Sequence, residues 1–319
     1  MDEPAKLSDN RRRGHTPRPE GPVQQKVRKA VIPAAGMGTR FLPATKAIAK
    51  EMLPIVNKPS IQLIVEEAAQ SGIEEVILVT GRGKTEIVDH FDAHPQLEDI
   101  LRRAGKEALL REVLRPSQMV KITSVRQQRP LGLGHAISCA RHLIGDEPFA
   151  VFLPDDLVDA TRPCARQLID VYERTGKSVV ALMNVPRAET SNYGIAAGTA
   201  HKDDPRVVDI KALVEKPAVE DAPSTLAVVG RYVLDPAVFD WLTRTNPGRG
   251  DEIQLTDALA AMMQAEGLLG YLFEGERFDA GDVTGYLLAN LNWARKTPRI
   301  WSSLLHYVDA HRRPAGEPP

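Results

Sequence analysis

Short apolar segments alternate with segments of helical periodicity along the first half of this chain. Residues 29–33, 75–80 and 149–153 are almost wholly apolar, as expected for strands buried on both faces of a sheet. Between the first two, residues 60–70 place their apolar side chains on one face of a helix. Because parallel neighbouring strands need helical crossovers, the alternation predicts an α/β fold with a mainly parallel sheet covered by helices.

The second half of the chain departs from this alternation and is richer in strands. Its strand-like segments are residues 194–199, 207–214 and 226–233, and its helical segments are residues 236–243, 253–264 and 284–296. We interpret this half as a strand-rich part of the same domain, followed by a helical end.

Charge is unevenly distributed along the chain. Residues 1–29 contain eight Lys or Arg and four Asp or Glu, whereas the remaining residues contain 33 and 38. The same segment has four prolines and no aromatic residue. We therefore predict a disordered basic arm over residues 1–27, one catalytic domain over residues 28–309 and a loose tail over residues 310–319. A basic arm could bind nucleic acid, but a solvated tail is the expectation.

Composition also indicates where the protein works. Its two cysteines, Cys139 and Cys164, are too few for a disulfide framework and fit a reducing compartment. No apolar run reaches the roughly 18 residues of a spanning helix, and the start lacks the apolar stretch of a signal peptide. We expect a cytoplasmic protein without a membrane partner.

The most informative local motif follows the first strand directly. Ala34, Ala35, Gly36 and Gly38 form a glycine-containing turn, in which exposed backbone N–H groups can line an anion site. A dinucleotide fingerprint would need a third glycine where Phe41 stands, so a Rossmann dehydrogenase is excluded. These four residues are our candidates for binding a nucleotide phosphate.

Several cations follow this turn. Arg40 and Lys50 are candidates for holding a triphosphate, and Lys46 is a weaker one. Residues 81–85 imitate the end of a Walker A loop, but Leu78 stands where that motif needs its first glycine. We expect residues 81–85 to form a turn that opens a helix.

Long, spaced motifs beginning at this turn resemble those of bacterial UTP–glucose-1-phosphate uridylyltransferases. The resemblance covers about residues 28–296. It departs from the family at Ala49, where the family usually has proline, and we expect a slightly looser loop with function retained. The segments that carry it are residues 36–46, 50–54, 58–59, 83–84, 89–92, 130–136, 153–156, 192–194, 214–217 and 250–257.

The resemblance implies a Rossmann-like nucleotidyltransferase fold, with a mainly parallel mixed sheet flanked by helices and a strand-rich sugar-binding part. It implies transfer of a uridylyl group from UTP to glucose 1-phosphate, which yields UDP-glucose and pyrophosphate. The attacking phosphate is already ionised at neutral pH, so this in-line reaction at the α-phosphorus needs no general base. Mg²⁺ is the expected cofactor, and a homo-dimer or homo-tetramer the expected assembly.

Residues for the base and the metal follow from pattern and resemblance together. Gln127 offers a donor and an acceptor that suit uracil, and Gly132 lets a flat base approach the backbone. Asp155 ends an apolar strand, where α/β sheets bind ligands, and is the first Mg²⁺ candidate. Asp282 is the second by resemblance, although it could equally be a helix N-cap. His135 is more typical of a structural hydrogen bond than of a catalytic base.

The family pattern also assigns the sugar side. Glu215 is expected to bind glucose hydroxyls and Lys216 the sugar phosphate, so Lys216 joins Arg40 and Lys50 as a catalytic cation. Gly194 and Gly230 match positions where backbone approaches the sugar. Two rival functions stay open, namely a sister enzyme that uses dTTP or another sugar 1-phosphate, and a non-catalytic sugar-nucleotide sensor.

Two further polar pairs are given structural interpretations. His90 and His94 have the spacing of a metal pair, but Pro95 and the absence of a third ligand favour a helix end. Residues 251–252 are expected to cap the helix that follows them, with a sugar-side role as the alternative.

Overall fold

The computed structural model describes residues 25–311, and residues 1–24 and 312–319 lie outside this description. Most of the predicted arm and tail therefore lie outside the described residues, and their disorder stays a prediction. Both predicted boundaries need a small correction. Val27, assigned to the arm, is only 3% exposed and packs in the core. Ala310, assigned to the tail, is the last residue of a helix.

Nine strands of the described chain form one central sheet. In chain order its strands are β1 (Lys29–Ala34), β4 (Glu75–Thr80), β5 (Lys121–Arg126), β6 (Phe149–Phe152), β8 (Val179–Asn184), β9 (Gly194–Ala200), β10 (Val207–Glu215), β11 (Leu226–Leu234) and β12 (Leu269–Leu272). Two small two-stranded sheets pair β2 (Pro54–Ile55) with β3 (Lys58–Pro59), and β7 (Asp156–Asp159) with β13 (Glu276–Asp279).

The first half of the central sheet is parallel, as its apolar segments predicted. The strands run in the spatial order β5-β4-β1-β6, and every pairing among them is parallel. Their carboxyl ends therefore meet at one edge, where β1 runs into the glycine turn and β6 into Asp155. This edge is where open α/β sheets bind ligands.

The second half adds antiparallel strands to the same sheet. β11 runs antiparallel to β6, β8 and β9. Its pairing with β8 slips between Val228 and Tyr232, which marks a β-bulge. The bulged residues include Gly230 and Arg231, and the slip brings them beside the carboxyl end of β6.

Eleven α-helices accompany the strands in the described chain. They are α1 (Ser60–Gln70), α2 (Thr85–Asp89), α3 (Pro95–Arg103), α4 (Glu107–Gln118), α5 (Leu133–Ser138), α6 (Arg141–Ile144), α7 (Cys164–Thr175), α8 (Val238–Arg244), α9 (Leu255–Glu266), α10 (Val283–Arg295) and α11 (Pro298–Ala310).

The helices differ from the predicted ones in three places. The apolar residues between Leu97 and Ala108 have the spacing of a single helix, but the chain forms two helices there, because Gly105 adopts a positive φ of 65° between α3 and α4. The sequence likewise predicts one helix over residues 134–143, which is divided into α5 and α6. No helix was predicted over α11, which begins with Pro298 at its first position.

Two apolar layers sandwich the central sheet and fix its position. One layer contains Ile32, Leu78 and Phe152 and packs against α1 and α7. The other contains Val31, Ile77 and Phe149 and packs against α5, α8 and α9. Even-numbered and odd-numbered residues of these strands thus point into opposite layers, as a sheet buried on both faces requires. Within residues 25–311, no helix has both the length and the apolar character needed to cross a lipid bilayer.

Candidate active site

Two neighbouring cavities open at the carboxyl edge of the sheet. The larger, the acidic cavity, has a volume of about 980 Å³ and is lined by Arg40, Asp155, Glu215, Lys216, Gly230 and Asp282 among others. The smaller, the turn cavity, has about 380 Å³ and is lined by Ala35, Gly36, Lys46, Gly83, Gln127 and Pro130 among others. Most of the predicted site residues therefore line one of these two cavities.

The glycine turn, residues 35–38, is open and locally strained only at Gly38. Gly38 has φ 66°, which favours glycine, and its carbonyl accepts a 2.7 Å hydrogen bond from the Thr45 hydroxyl. At Gly36, by contrast, an added Cβ would meet no atom within 4 Å. Ala34 differs from the prediction, since it is fully buried and its carbonyl accepts from the Lys84 ammonium at 2.8 Å. It supports the turn from below.

Lys50 and Asp155 form an ion pair across the site. The Lys50 ammonium lies 2.7 Å from Asp155 Oδ2, and the two side chains are 18% and 28% exposed. Burial acts to lower the pKa of Lys50, but the charge and hydrogen bond of Asp155 outweigh it and raise that pKa. Burial acts to raise the pKa of Asp155, and Lys50 in turn holds it below its usual value. Both groups are therefore charged at neutral pH.

Arg40 reaches the same point from the glycine turn. Its side chain is exposed, and Nη1 donates a long hydrogen bond of 3.4 Å to the carbonyl of Gly281. Arg40 also lowers the pKa of Asp155 after the larger effects of burial and Lys50. Two cations thus face one carboxylate at the mouth of the acidic cavity.

Asp156, the neighbour of Asp155, belongs to a buried network. Its Oδ2 accepts a 2.7 Å hydrogen bond from the backbone N–H of Gly230, and its Oδ1 pairs with Arg277. Arg277 also donates to the Tyr193 hydroxyl at 3.1 Å and to Asp279 at 3.2 Å. Burial raises the pKa of Asp156, which Arg277 opposes. Sequence reasoning missed Arg277, which lies 121 residues from its partner.

Arg231 fixes the turn that carries Asp155. It is 1% exposed and binds the Glu67 carboxylate, with a closest distance of 2.7 Å. Its remaining N–H groups donate to the carbonyls of Leu153, Gly230 and Asp156, the last at 2.7 Å. The sequence offered one signal that was not used, namely a lone charged residue inside an apolar strand, which must find a buried partner.

The predicted sugar residues gather on the far wall of the acidic cavity. Glu215 Oε2 accepts from the Thr256 hydroxyl at 2.6 Å. Lys216 follows with a φ of 42°, and its ammonium lies 3.7 Å from Glu215 Oε1. A Cβ on Gly194 would come within 3.2 Å of Glu215. The Glu215 carboxylate, the Lys216 ammonium and the backbone of Gly194 thus lie together at the ends of β9 and β10.

Gln127 and Gly132 lie together beside the turn cavity. Gln127 is 8% exposed, and its amide nitrogen donates to the Gly132 carbonyl at 3.0 Å. The same nitrogen lies 2.9 Å from His135 Nδ1, which must then accept, so the proton of neutral His135 is on Nε2. These bonds fix the Gln127 amide and leave its oxygen without a protein partner in the described chain. His135 has the structural role that was predicted for it.

Gly132 could not be another residue without rearrangement. Its φ is 96°, and an added Cβ would lie 2.7 Å from Glu252 and 2.9 Å from the Ile253 carbonyl. Glu252 and Ile253 therefore pack directly against it.

Asp282 has the capping role that was left open for it. Its Oδ1 accepts a 3.0 Å hydrogen bond from the N–H of Gly285 at the start of α10. It also lines the acidic cavity with Asp155, so capping does not exclude a ligand on its second oxygen. The metal role of both carboxylates stays a prediction.

The other candidate ligands have structural partners. His90 Nε2 lies 2.9 Å from the Gln62 amide oxygen, and His94 caps α3 by accepting from the N–H of Leu97. In the part of the chain that the structure describes, no three His, Cys, Asp or Glu side chains form a group that could hold a metal ion. The helix-end interpretation of the two histidines is confirmed.

The Walker-like segment braces the site from behind, and it opens α2 as predicted. The Lys84 ammonium binds Glu51 at 2.8 Å, with the two side chains 10% and 1% exposed. Two residues on, Glu86 Oε1 accepts a 3.0 Å hydrogen bond from the backbone N–H of Ala49. The looser loop expected at Ala49 stays a prediction, but the structure adds a bond that proline could not make.

Comparison with known proteins assigns this arrangement to a class. Residues 29–296 match the nucleotidyl transferase family, and the chain belongs to it. The chain is similar to the UTP–glucose-1-phosphate uridylyltransferase of Bacillus subtilis (strain 168), with 48% identity over 285 residues, 89% of this chain and 97% of that protein.

Solved structures agree with this relationship. UTP-bound UGPase from Acinetobacter baumannii has a TM-score of 0.82 at 38% identity, covering 90% of this chain and 100% of that one. A UDP-glucose pyrophosphorylase complexed with UDP-glucose has a TM-score of 0.76 at 43% identity, covering 85% and 99%. The predicted nucleotidyltransferase fold and the resemblance drawn from the motifs are both confirmed.

Proposed function

We propose that this chain transfers the uridylyl group of UTP to glucose 1-phosphate, releasing pyrophosphate and forming UDP-glucose. The observation that carries the proposal is the meeting of Arg40 and Lys50 with Asp155 at the carboxyl edge of the sheet. That meeting point lies between the glycine turn on one side and Glu215 and Lys216 on the other. Two phosphorylated substrates can therefore approach one another between fixed cations.

The turn cavity is suited to the nucleotide. The backbone of Ala35 and Gly36 lines this cavity, and an added Cβ at Gly36 would meet no atom within 4 Å, so phosphate oxygens can approach it. Uracil presents an N–H donor at N3, and the fixed Gln127 amide offers only its oxygen, so we infer that this oxygen accepts from N3. Gly132 contributes to the base site through its carbonyl, which holds the Gln127 amide nitrogen and so orients that oxygen.

The far wall of the acidic cavity is suited to the sugar phosphate. The Glu215 carboxylate can accept two sugar hydroxyls, and the Lys216 ammonium can bind the phosphate. Gly194 and Gly230 line this cavity from buried positions in its wall. An added Cβ would lie 3.2 Å from Glu215 at Gly194 and 2.3 Å from Asp156 at Gly230, so a side chain at either position would displace a carboxylate of the site.

Asp155 and Asp282 fit a divalent cation in the chemistry of their donors. Both present carboxylate oxygens to one cavity, and Mg²⁺ is usually bound by one or two carboxylates together with substrate phosphates. A site that substrate phosphates complete needs no third protein ligand. When bound, Mg²⁺ would supply positive charge against the phosphate oxygens.

The protein's own contribution is positioning and charge. The glucose 1-phosphate oxygen that attacks the α-phosphorus is already ionised, so no side chain has to remove a proton. Two unit charges about 4 Å apart in a partly buried site repel by about 4 kcal/mol. Arg40, Lys50 and Lys216 are placed to offset this repulsion and to hold both substrates in line.

The direct test measures pyrophosphate released by the purified protein from UTP and glucose 1-phosphate. We expect release that requires both substrates and stops when EDTA removes divalent cations. The same assay with dTTP, or with other sugar 1-phosphates, separates a sister enzyme from the proposed one. Binding of UDP-glucose without pyrophosphate release from any pair would indicate a sensor and would contradict the proposal.

We also propose a cytoplasmic location and a homo-dimer or homo-tetramer, as the family resemblance implies. Light scattering of the purified chain measures its mass in solution and tests the assembly.

A further inference from the structure

Ala49 has the backbone conformation of a proline and a bond that a proline cannot form. Its φ and ψ are −61° and 136°, and it is 7% exposed. Its N–H donates to Glu86 Oε1 at 3.0 Å. Alanine has no ring to fix its φ angle. The hydrogen bond to the Glu86 carboxylate therefore holds φ of Ala49 at the value that a proline ring would impose.

The next two residues explain why this angle matters. Lys50 places its ammonium 2.7 Å from Asp155, and Glu51 is held by the buried Lys84 at 2.8 Å. Lys50 is thus flanked by a bond at Ala49 and by an ion pair at Glu51. Both partners come from one short stretch, residues 84–86, at the start of α2.

The two bonds differ in what they fix. The Lys84–Glu51 pair is nearly inaccessible to solvent, and Lys84 also holds the Ala34 carbonyl at the end of β1, so it belongs to the fold. Glu86 is half-buried, and it accepts a hydrogen bond from the backbone N–H of Ala49. That bond fixes the backbone conformation immediately before Lys50.

We propose that Glu86 is a positioning residue for Lys50, and that it acts by accepting the backbone N–H of Ala49. This inference rests on the proposed function, in which Lys50 offsets the charge of the reacting phosphates. The role requires an acceptor atom at the end of the side chain and does not require its negative charge.

Two matched variants separate the acceptor from the charge. Glu86→Gln keeps an acceptor oxygen, and Glu86→Met has a similar length but no acceptor. We expect Glu86→Met to lower kcat about tenfold, equivalent to about 1.4 kcal/mol, with both KM values within about twofold of the parent. Glu86→Gln should keep kcat within about twofold. Equal losses in the two variants would contradict the acceptor role.

A double-mutant cycle tests the route through Lys50. In a Lys50→Ala background, Glu86→Met should lower kcat no further, because the group that it positions is absent. In an Ala49→Pro background, Glu86→Met should also have little effect, because proline fixes φ near −65° and has no N–H. A full tenfold loss in either background would overturn the proposal. If Ala49→Pro does not fold, the proposal is still tested by the Lys50→Ala cycle and by the comparison of Glu86→Gln with Glu86→Met.

Amide hydrogen exchange gives a readout that does not depend on turnover. The N–H of Ala49 should be protected in the parent and in Glu86→Gln, and should exchange about tenfold faster in Glu86→Met. If the parent releases no pyrophosphate but shows this pattern, the proposed function fails while the bond stands. If Ala49 is unprotected in the parent, the inference fails whatever the activity.

Discussion

The two sides of the cleft are built in opposite ways. The carboxylate side consists of the turn after β6 and the bulge of β11, where Arg231 is 1% exposed and Asp156 is 5% exposed. Asp156 forms hydrogen bonds there with Gly230, Arg231 and Arg277, each across more than 70 residues of sequence. The glycine-turn side exposes Met37 by 75% and Leu42 by 58%, and Arg40 makes one long hydrogen bond.

This difference corresponds to two tasks. In the proposed reaction the carboxylates and Lys50 stand at fixed distances from the reacting phosphates, and a buried network holds them there before substrate arrives. In the same proposal the glycine turn accepts a flexible triphosphate, to which open backbone can adapt. Substitutions on the carboxylate side should therefore lower the free energy of unfolding, and substitutions on the glycine-turn side should mainly change substrate affinity.

The largest effect should come from breaking the buried network at its centre. Arg231→Met removes the guanidinium from the buried Glu67 carboxylate and its hydrogen bonds from three backbone carbonyls, so we expect the free energy of unfolding to fall by about 3–5 kcal/mol. Urea denaturation measures it. The control is Arg103→Ala, whose 80% exposed side chain pairs with Asp99 and should contribute less than about 1 kcal/mol. Comparable losses in the two variants would show that the carboxylate side is not the rigid one.

The next effect concerns the residue that joins the two sides. Lys50→Ala removes a cation from the reacting phosphates, and kcat should fall about 100-fold or more. Lys29 is a matched control because it is 19% exposed and also ion-paired, but it lies at the amino end of β1. Lys29→Ala should leave the kcat of the folded enzyme near that of the parent. Near-normal turnover by Lys50→Ala would remove Lys50 from the mechanism.

The smallest effect compares one glycine from each side. At Gly230 a Cβ would lie 2.3 Å from Asp156 Oδ2 and 2.6 Å from Leu153, whereas at Gly36 it would meet nothing within 4 Å. Gly230→Ala should destabilise the fold by about 1–3 kcal/mol through overpacking.

Gly36→Ala should change stability by less than about 0.5 kcal/mol and instead raise the KM for UTP. Thermal unfolding and steady-state kinetics of both variants measure these changes. A Gly36→Ala enzyme that unfolds as easily as Gly230→Ala would contradict the contrast between the two sides.

Sequence periodicity predicted the parallel half of the sheet well, because buried strands such as β4 and β6 are continuous apolar runs. The location of the site also followed, since Gly36 and Asp155 each come directly after such a strand. Helix continuity was less predictable. Apolar spacing persists across Gly105, and a pattern cannot show that the chain turns there. The helix α11 was missed although it begins at a proline.

The network behind the site could not be read from the sequence. Asp156 lies in one of the family motifs, but its partner Arg277 could not be identified, because nothing in local spacing relates residues 121 positions apart. The same holds for Glu51 with Lys84 and for Glu67 with Arg231. Family resemblance supplied the candidate ligand-binding residues, such as Glu215 and Lys216. It supplied none of the residues that hold them in place.

The bulge in β11 has a consequence for how this chain can change in length. Gly230 lines the acidic cavity, whereas its neighbour Arg231 is 1% exposed and is bonded to the buried Glu67. Insertion or deletion of a single codon in this strand would shift the two, driving a guanidinium toward the acidic cavity and leaving Glu67 without its partner. Natural variants should therefore vary the length of surface loops and keep the residue count of this strand constant.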